Sequence, residues 1–242
     1  LKMLVTRPDP DASDTAARLG ALGIEGVPCP LLVHQTLDVS LPDPKGFAGL
    51  VLTSANALRA LDERGVLARY RALPVYAVGN RTAALARDMG FATVTSADGA
   101  FADLVELLAH APLAGPIFYP AARDMSAYLG KSLAPFGRMV ITAEIYAMNP
   151  VTELPDGLAE RLGAGEIEAA LFYSKRTAQT FVRLVERGLE RPARARFGVL
   201  CLSEAVAAPL LDAHFVRVGL CDHPSEEAMM GLALSFARDQ NP

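Results

Sequence analysis

Several apolar runs in this chain close on a small hydroxyl residue or a glycine and pass at once into a helix-forming segment. They are Thr53-Ser54-Ala55-Asn56, Val78-Gly79-Asn80-Arg81-Thr82, Tyr173-Ser174-Lys175-Arg176 and Leu202-Ser203-Glu204. The first N–H groups of a helix have no partner within it and lie at the positive end of its dipole, so such turns are natural docks for carboxylates or phosphates. Taken singly, Ser54, Ser174 and Ser203 read as plain N-caps, each contributing about 1 kcal/mol to its helix. Taken together they read as a cleft for a ligand with several carboxylates. Basic residues fall near the same strand ends: Arg7, Arg81, Arg123, Lys175 and Arg176. Their placement suits bidentate or point-charge capture of carboxylates, and solvated surface charge is the alternative for each.

Other chemistries find little support. His34, His110, His214 and His223 are scattered without metal-ligand spacing, and neither a GxSxG elbow nor a Cys/His pairing is present, so no metal site is expected. VGNRTA is too short and too poor in glycine for a dinucleotide fingerprint, and no GxxxxGK occurs, so no nucleotide cofactor is expected. Cys29, Cys201 and Cys221 are odd in number and widely spaced, which reads as free thiols in a reducing compartment. The net charge of −4 disfavours nucleic acid as a partner, and an anionic ligand must then be held by a local site. No run approaches the roughly 18 apolar residues of a membrane span, and the first residues lack the apolar core of a signal peptide. A cytoplasmic protein without membrane contact is expected. Tyr146, in EIYAMN, is the polar aromatic best placed to give a proton to a leaving hydroxyl, although a tyrosine that only packs fits as well.

The elements that must position these residues follow from the hydrophobic pattern. Runs of four to six apolar residues alternate with helix-period segments nearly from end to end, the pattern of βα units and a parallel sheet. Strands are predicted at Met3–Thr6, Gly26–Cys29, Gly49–Thr53, Val75–Val78, Ala92–Thr95, Pro116–Tyr119, Met139–Ala147, Ala169–Tyr173, Phe197–Leu202 and Phe215–Gly219. Spacing such as Ala57, Leu58, Leu61 and Phe181, Leu184, Val185 makes the intervening segments amphipathic crossover helices.

An internal duplication sets the domain count. GLVLTSANALRALDERG is similar to AALFYSKRTAQTFVRLVERG, and VYAVGNRTAALARDMGFATV aligns without gaps to VLCLSEAVAAPLLDAHFVRV. A third pair, LVTRPDPDASDTAARLGALGIEGV and IFYPAARDMSAYLGKSLAPFGRMV, has its first copy before those partners and its second copy after them. Two similar domains, one interrupted by the other, explain that order. The expectation is two flavodoxin-like α/β domains: residues 1–34 with 150–242, and residues 35–149 inserted. The Pro-flanked stretches at 28–36 and 144–152 are the crossings, read either as a hinge of two linkers or as ordinary edge strands.

VTRP, LTSANA, VYAVGNRTA, AEIY, FYSKRTAQTF, CLSEAVA and HPSEEAMM, in this order, resemble the succession of weak motifs in the uroporphyrinogen-III synthase family. The resemblance spans nearly the whole chain. It implies a cofactor-free lyase that closes hydroxymethylbilane, a linear tetrapyrrole with eight carboxylates, inverting the last ring; a monomer is expected. It further implies Tyr146 as the residue that helps the hydroxyl leave, and Arg7, Ser54, Thr82 and Ser174 as substrate contacts; the strand-end turns and basic residues themselves add Ala55, Arg123, Lys175 and Ser203 to the expected contacts. One departure stands at Ser203-Glu204-Ala205-Val206, where many members carry a Gly and Thr pair and only Ser203 offers a hydroxyl. A non-catalytic two-domain binding or sensor protein for a small anion is the rival reading.

Overall fold

The computed structural model describes residues 1–125, 127–186 and 188–240, so Arg187, in the second ERG of the duplication, lies outside them. In chain order the elements are β1 (Lys2–Val5), α1 (Asp11–Ala21), β2 (Glu25–Pro28), β3 (Leu32–Thr36), β4 (Gly49–Leu52), α2 (Ala55–Glu63), α3 (Leu67–Tyr70), β5 (Val75–Ala77), α4 (Asn80–Asp88), β6 (Val94–Ser96), α5 (Phe101–His110), β7 (Ile117–Ala122), α6 (Leu129–Leu133), β8 (Val140–Pro150), α7 (Leu158–Ala164), β9 (Ala169–Phe172), α8 (Lys175–Val185), α9 (Arg191–Arg196), β10 (Gly198–Cys201), α10 (Glu204–Asp212), β11 (Arg217–Leu220) and α11 (Glu226–Gln240). All ten predicted strands are present, with ends displaced by a few residues. The chain divides into two compact units, Leu1–Val33 with the residues from Asn149 onward, and His34–Met148.

The first unit holds a parallel sheet in the order β11-β10-β9-β1-β2. Renumbered within the unit, this is the flavodoxin-like order 2-1-3-4-5. The second sheet runs β3-β8-β7-β4-β5-β6. When each strand is replaced by its partner in the duplication, β8-β7-β4-β5-β6 becomes β2-β1-β9-β10-β11, the order of the first sheet. The interrupted repeat is therefore an architectural one: both units are the same α/β fold, and the first is assembled from the two ends of the chain.

Two-sided burial explains why these strands read as continuous apolar runs. Along β1, Leu4 joins a cluster with Phe172, Phe181 and Val199, while Met3 and Val5 join another with Leu19, Leu171 and Met229. In the second unit, Leu50, Leu52 and Phe118 pack against α2 and α3, whereas Val51, Ile117 and Tyr119 pack against α5 and α6. Side chains alternate across the sheet and each face is closed by helices. Cys29 and Cys201 sit in the first of these clusters, and burial pushes their thiols up to about 11 and about 12. All three cysteines are free.

The crossings are strands, not slack linkers. Leu37 N–H donates to the Ile145 carbonyl at 2.8 Å and Val151 N–H to the Leu31 carbonyl at 3.1 Å, so β3 and β8 run in opposite directions beside one another. Prolines at 28, 30 and 150 flank these segments without interrupting them, because a proline is tolerated at a strand end where no ladder donor is needed. Among the described residues no helix is long and apolar enough to cross a membrane.

Helix and sheet approach so closely at Gly26 that a Cβ there would lie 2.6 Å from the Ala16 Cα of α1. Backbone cannot yield as a flexible side chain does. Gly26→Ala is expected to lower the unfolding free energy by about 1–3 kcal/mol, measured as a reduced urea midpoint at unchanged slope.

Candidate functional site

In the second unit, β4 ends at Leu52 and α2 begins at Ala55, with Thr53 and Ser54 forming the turn. Ser54 has extended backbone, φ −153°, and its hydroxyl accepts from the Asn56 N–H at 3.2 Å. The N-cap reading of Ser54 is therefore correct, and Ser54 shares a cleft wall with Tyr146. A cleft of about 290 Å³ opens here at the carboxyl edge of the sheet, lined by Thr53, Ser54, Val78, Phe101, Tyr119, Ala122, Asp124, Met125, Ala127 and Tyr146. Ala55 is the first residue of α2, and Thr82, 7% exposed, is in the first turn of α4. Neither lines the cleft.

Tyr146 reaches this cleft through a β-bulge. The ladder between β7 and β8 pairs Ala121 with Glu144 and then Ala122 with Tyr146, leaving Ile145 as the extra residue. A bulge reverses the alternation of side chains beyond it. Ala143 and Ile145, then Tyr146 and Met148, accordingly all pack on the same cluster. The Tyr146 ring stacks on His34, centroids 5.5 Å apart and planes at 25°. His34 Nδ1 lies 3.9 Å from a Glu63 carboxylate oxygen, and its Nε2 is buried with no hydrogen-bond partner among the described residues. Burial raises the Tyr146 phenol above its ordinary pKa; the Ser54 hydroxyl pulls it down and neighbouring Tyr119 adds to the rise. Tyr146 is thus protonated at neutral pH and carries a proton to give, although burial makes it a weaker acid than a free phenol.

Arg123 donates its backbone N–H to the Tyr146 carbonyl at 2.8 Å. Its side chain lines a neighbouring groove of about 740 Å³ with Leu37, Tyr128, Lys131 and Glu144. Met125 borders both this groove and the Tyr146 cleft.

The first unit carries the counterparts. Ser174, φ −146°, caps α8 by accepting from the Thr177 N–H at 3.1 Å, and Lys175 is the first residue of that helix. Ser203 precedes α10 with extended backbone and makes no side-chain cap. Arg7 has different surroundings. Its guanidinium donates to Glu226 at 2.6 Å, to Asp11 at 3.0 Å and to the Thr15 hydroxyl at 3.2 Å, and lies 4.2 Å over the Tyr173 ring. With 14% of its side chain exposed, its charge is matched within the protein. Glu226 also accepts from Thr15 and Tyr173, so the start of α11 is tied to the β1–α1 turn.

The arrangement brings Ser54 and Tyr146 together with Thr53 and Tyr119, while Ser174, Lys175, Ser203 and Arg7 belong to the other unit. Tyr119, which lines the cleft, and His34, which stacks on Tyr146, were not among the expected site residues. The available signal for Tyr119 was a phenol at the carboxyl end of an apolar run, PIFYP. No group of three or more metal-ligating side chains occurs among the described residues.

The family model described as uroporphyrinogen-III synthase HemD matches residues 13–231. This chain belongs to the uroporphyrinogen-III synthase family. The structure is similar to that of uroporphyrinogen-III synthetase from Helicobacter pylori, at 20% identity and a TM-score of 0.67, over 98% of this chain and 100% of that one. It is also similar to a mutant uroporphyrinogen III synthase from Thermus thermophilus, at 17% identity and a TM-score of 0.56, over 99% and 98%. At such identities these two likenesses speak for the fold alone. None of the curated proteins is a significant match in sequence.

The Arg7 cluster predicts a stability effect distinct from any effect on a ligand. Glu226→Ala leaves a buried guanidinium short of a carboxylate and is expected to cost about 2–4 kcal/mol. In urea unfolding the double variant Arg7→Met/Glu226→Ala should lose less than the sum of the single losses.

Proposed function

We propose that this chain closes hydroxymethylbilane to uroporphyrinogen III, inverting ring D and releasing water, in tetrapyrrole biosynthesis. The observation that carries the reading is a protonated, buried Tyr146 beside the Ser54 helix cap, in a small cleft at the carboxyl edge of a sheet, in a member of this family.

The chemistry needs one proton delivered and one recovered. As the bond between the terminal methylene and its hydroxyl breaks, the pyrrole nitrogen supplies electrons and Tyr146 gives its proton to the oxygen, which departs as water. The pyrrole N–H proton then passes to the phenolate, restoring Tyr146 and leaving an azafulvene. Attack by the substituted carbon of ring D gives a spiro intermediate, and fragmentation with recombination gives the type III isomer. Substrate and product differ by one water, so no oxidant or reductant enters.

Unassisted closure gives the uninverted isomer, and the remaining task is to hold one folded conformation of a flexible chain, a positioning effect. The substrate's carboxylates suit helix beginnings: the Ser54-Ala55 and Ser174-Lys175 turns, the start of α4 with Thr82, Ser203 before α10, and the Arg123 side chain. Arg7 serves the substrate indirectly, by fixing the turn after β1.

Incubated with freshly prepared hydroxymethylbilane, the protein is expected to yield the type III isomer; type I alone, formed at the rate seen without protein, would overturn the reading. Tyr146→Phe is expected to lower kcat by about 100-fold with little change in KM, because a proton donor acts in the transition state. Steady-state kinetics with isomer-resolved product analysis checks both.

A further inference from the structure

Tyr119 stands at 4% exposure on β7, its ring held with Ile117 and Ala121 in the apolar layer beneath α5 and α6. Its hydroxyl lies 3.0 Å from the Thr53 hydroxyl, and both residues line the cleft that holds Tyr146. A buried tyrosine hydroxyl usually finds a hydrogen-bond partner, and that of Tyr70 donates to the Pro42 carbonyl at 2.7 Å. The partner of Tyr119 is instead a second hydroxyl. Two hydroxyls carry two protons and four lone pairs, and their mutual bond uses one of each. Neither Tyr119 nor Thr53 has another side-chain hydrogen bond among the described residues. One O–H and several lone pairs are therefore left in the wall of a cleft that Tyr146 also lines.

We infer that Tyr119, held by Thr53, is a second catalytic phenol that binds the departing hydroxyl and the water it becomes. The inference rests on the proposed cyclisation and names the site of its leaving group. Tyr146 transfers the proton; the Tyr119–Thr53 pair donates a hydrogen bond to the same oxygen without losing a proton of its own. As the carbon–oxygen bond lengthens, charge builds on that oxygen, so a donor already aimed at it lowers the barrier more than it strengthens substrate binding. Ring inversion is a separate matter of how the tetrapyrrole is folded, so isomer choice does not depend on this pair.

The test compares Tyr119→Phe, Thr53→Val and Thr53→Ser in steady-state turnover of hydroxymethylbilane, with products separated as isomers and melting temperatures measured alongside. Expected are kcat values lowered about 10- to 100-fold in Tyr119→Phe and Thr53→Val, with KM and the type III share of enzymatic product unchanged. Thr53→Ser, which keeps the hydroxyl, should restore most of the turnover, and the double variant Tyr119→Phe/Thr53→Val should be no slower than the poorer single one. Wild-type kcat in a folded Tyr119→Phe overturns the inference while leaving the proposed function standing. Equal losses in Thr53→Ser and Thr53→Val reduce the pair to packing and overturn it as well, and that comparison decides the matter if Tyr119→Phe does not fold. Type I product alone from the unaltered protein overturns the proposed function and this inference with it.

Discussion

A parallel strand cannot be followed by a hairpin; it needs a crossover, and in both units that crossover is a helix lying on one face of the sheet. Apart from β2, β3 and β8 at the crossings, each strand therefore delivers the chain to the start of a helix at the same edge. The partnerless N–H groups gathered along that edge follow from ladder geometry before any functional side chain is chosen. Ser54 and Ser174 occupy equivalent turns in the two units and cap their helices with the same extended backbone. What distinguishes the second unit is that two tyrosines and a threonine share the edge with its cap.

The electrostatics take their character from the same source. A chain of net charge −4 is proposed to hold a substrate with many carboxylates, and the most deeply placed strand-end guanidinium, that of Arg7, is already bound to Asp11 and Glu226. The positive potential on offer comes in large part from aligned backbone dipoles, which need no side-chain charge. Lys175 in the first unit and Arg123 in the second are the side-chain charges proposed to complement it.

Much of the architecture was legible because parallel strands buried on both faces leave uninterrupted apolar runs such as LVL at 50–52 and AALF at 169–172. The inverted order of the third repeated pair showed which domain is interrupted. Side-chain roles were less legible. Arg7 looked like a ligand contact because it follows a strand, but its partner Glu226 lies in HPSEEAMM, 219 residues away, and no local pattern links them. Tyr119 was visible only as the end of a predicted strand, since a phenol in an apolar run has the periodicity of a core residue and the approach of Thr53 is what sets it apart. The crossing segments carried both prolines and β-formers, and backbone pairing between β3 and β8 decided in favour of strands.

The extra residue in β8 ties Tyr146's orientation to the length of its strand as well as to its own identity. Ile145 acts as a phase shift: it lets two consecutive positions face the same layer, and without it the phenol would be turned to the opposite side of the sheet. Comparison among distant relatives must therefore count residues across this stretch before matching them. A tyrosine in the right column over a strand one residue shorter would be a different structural element under the same letter.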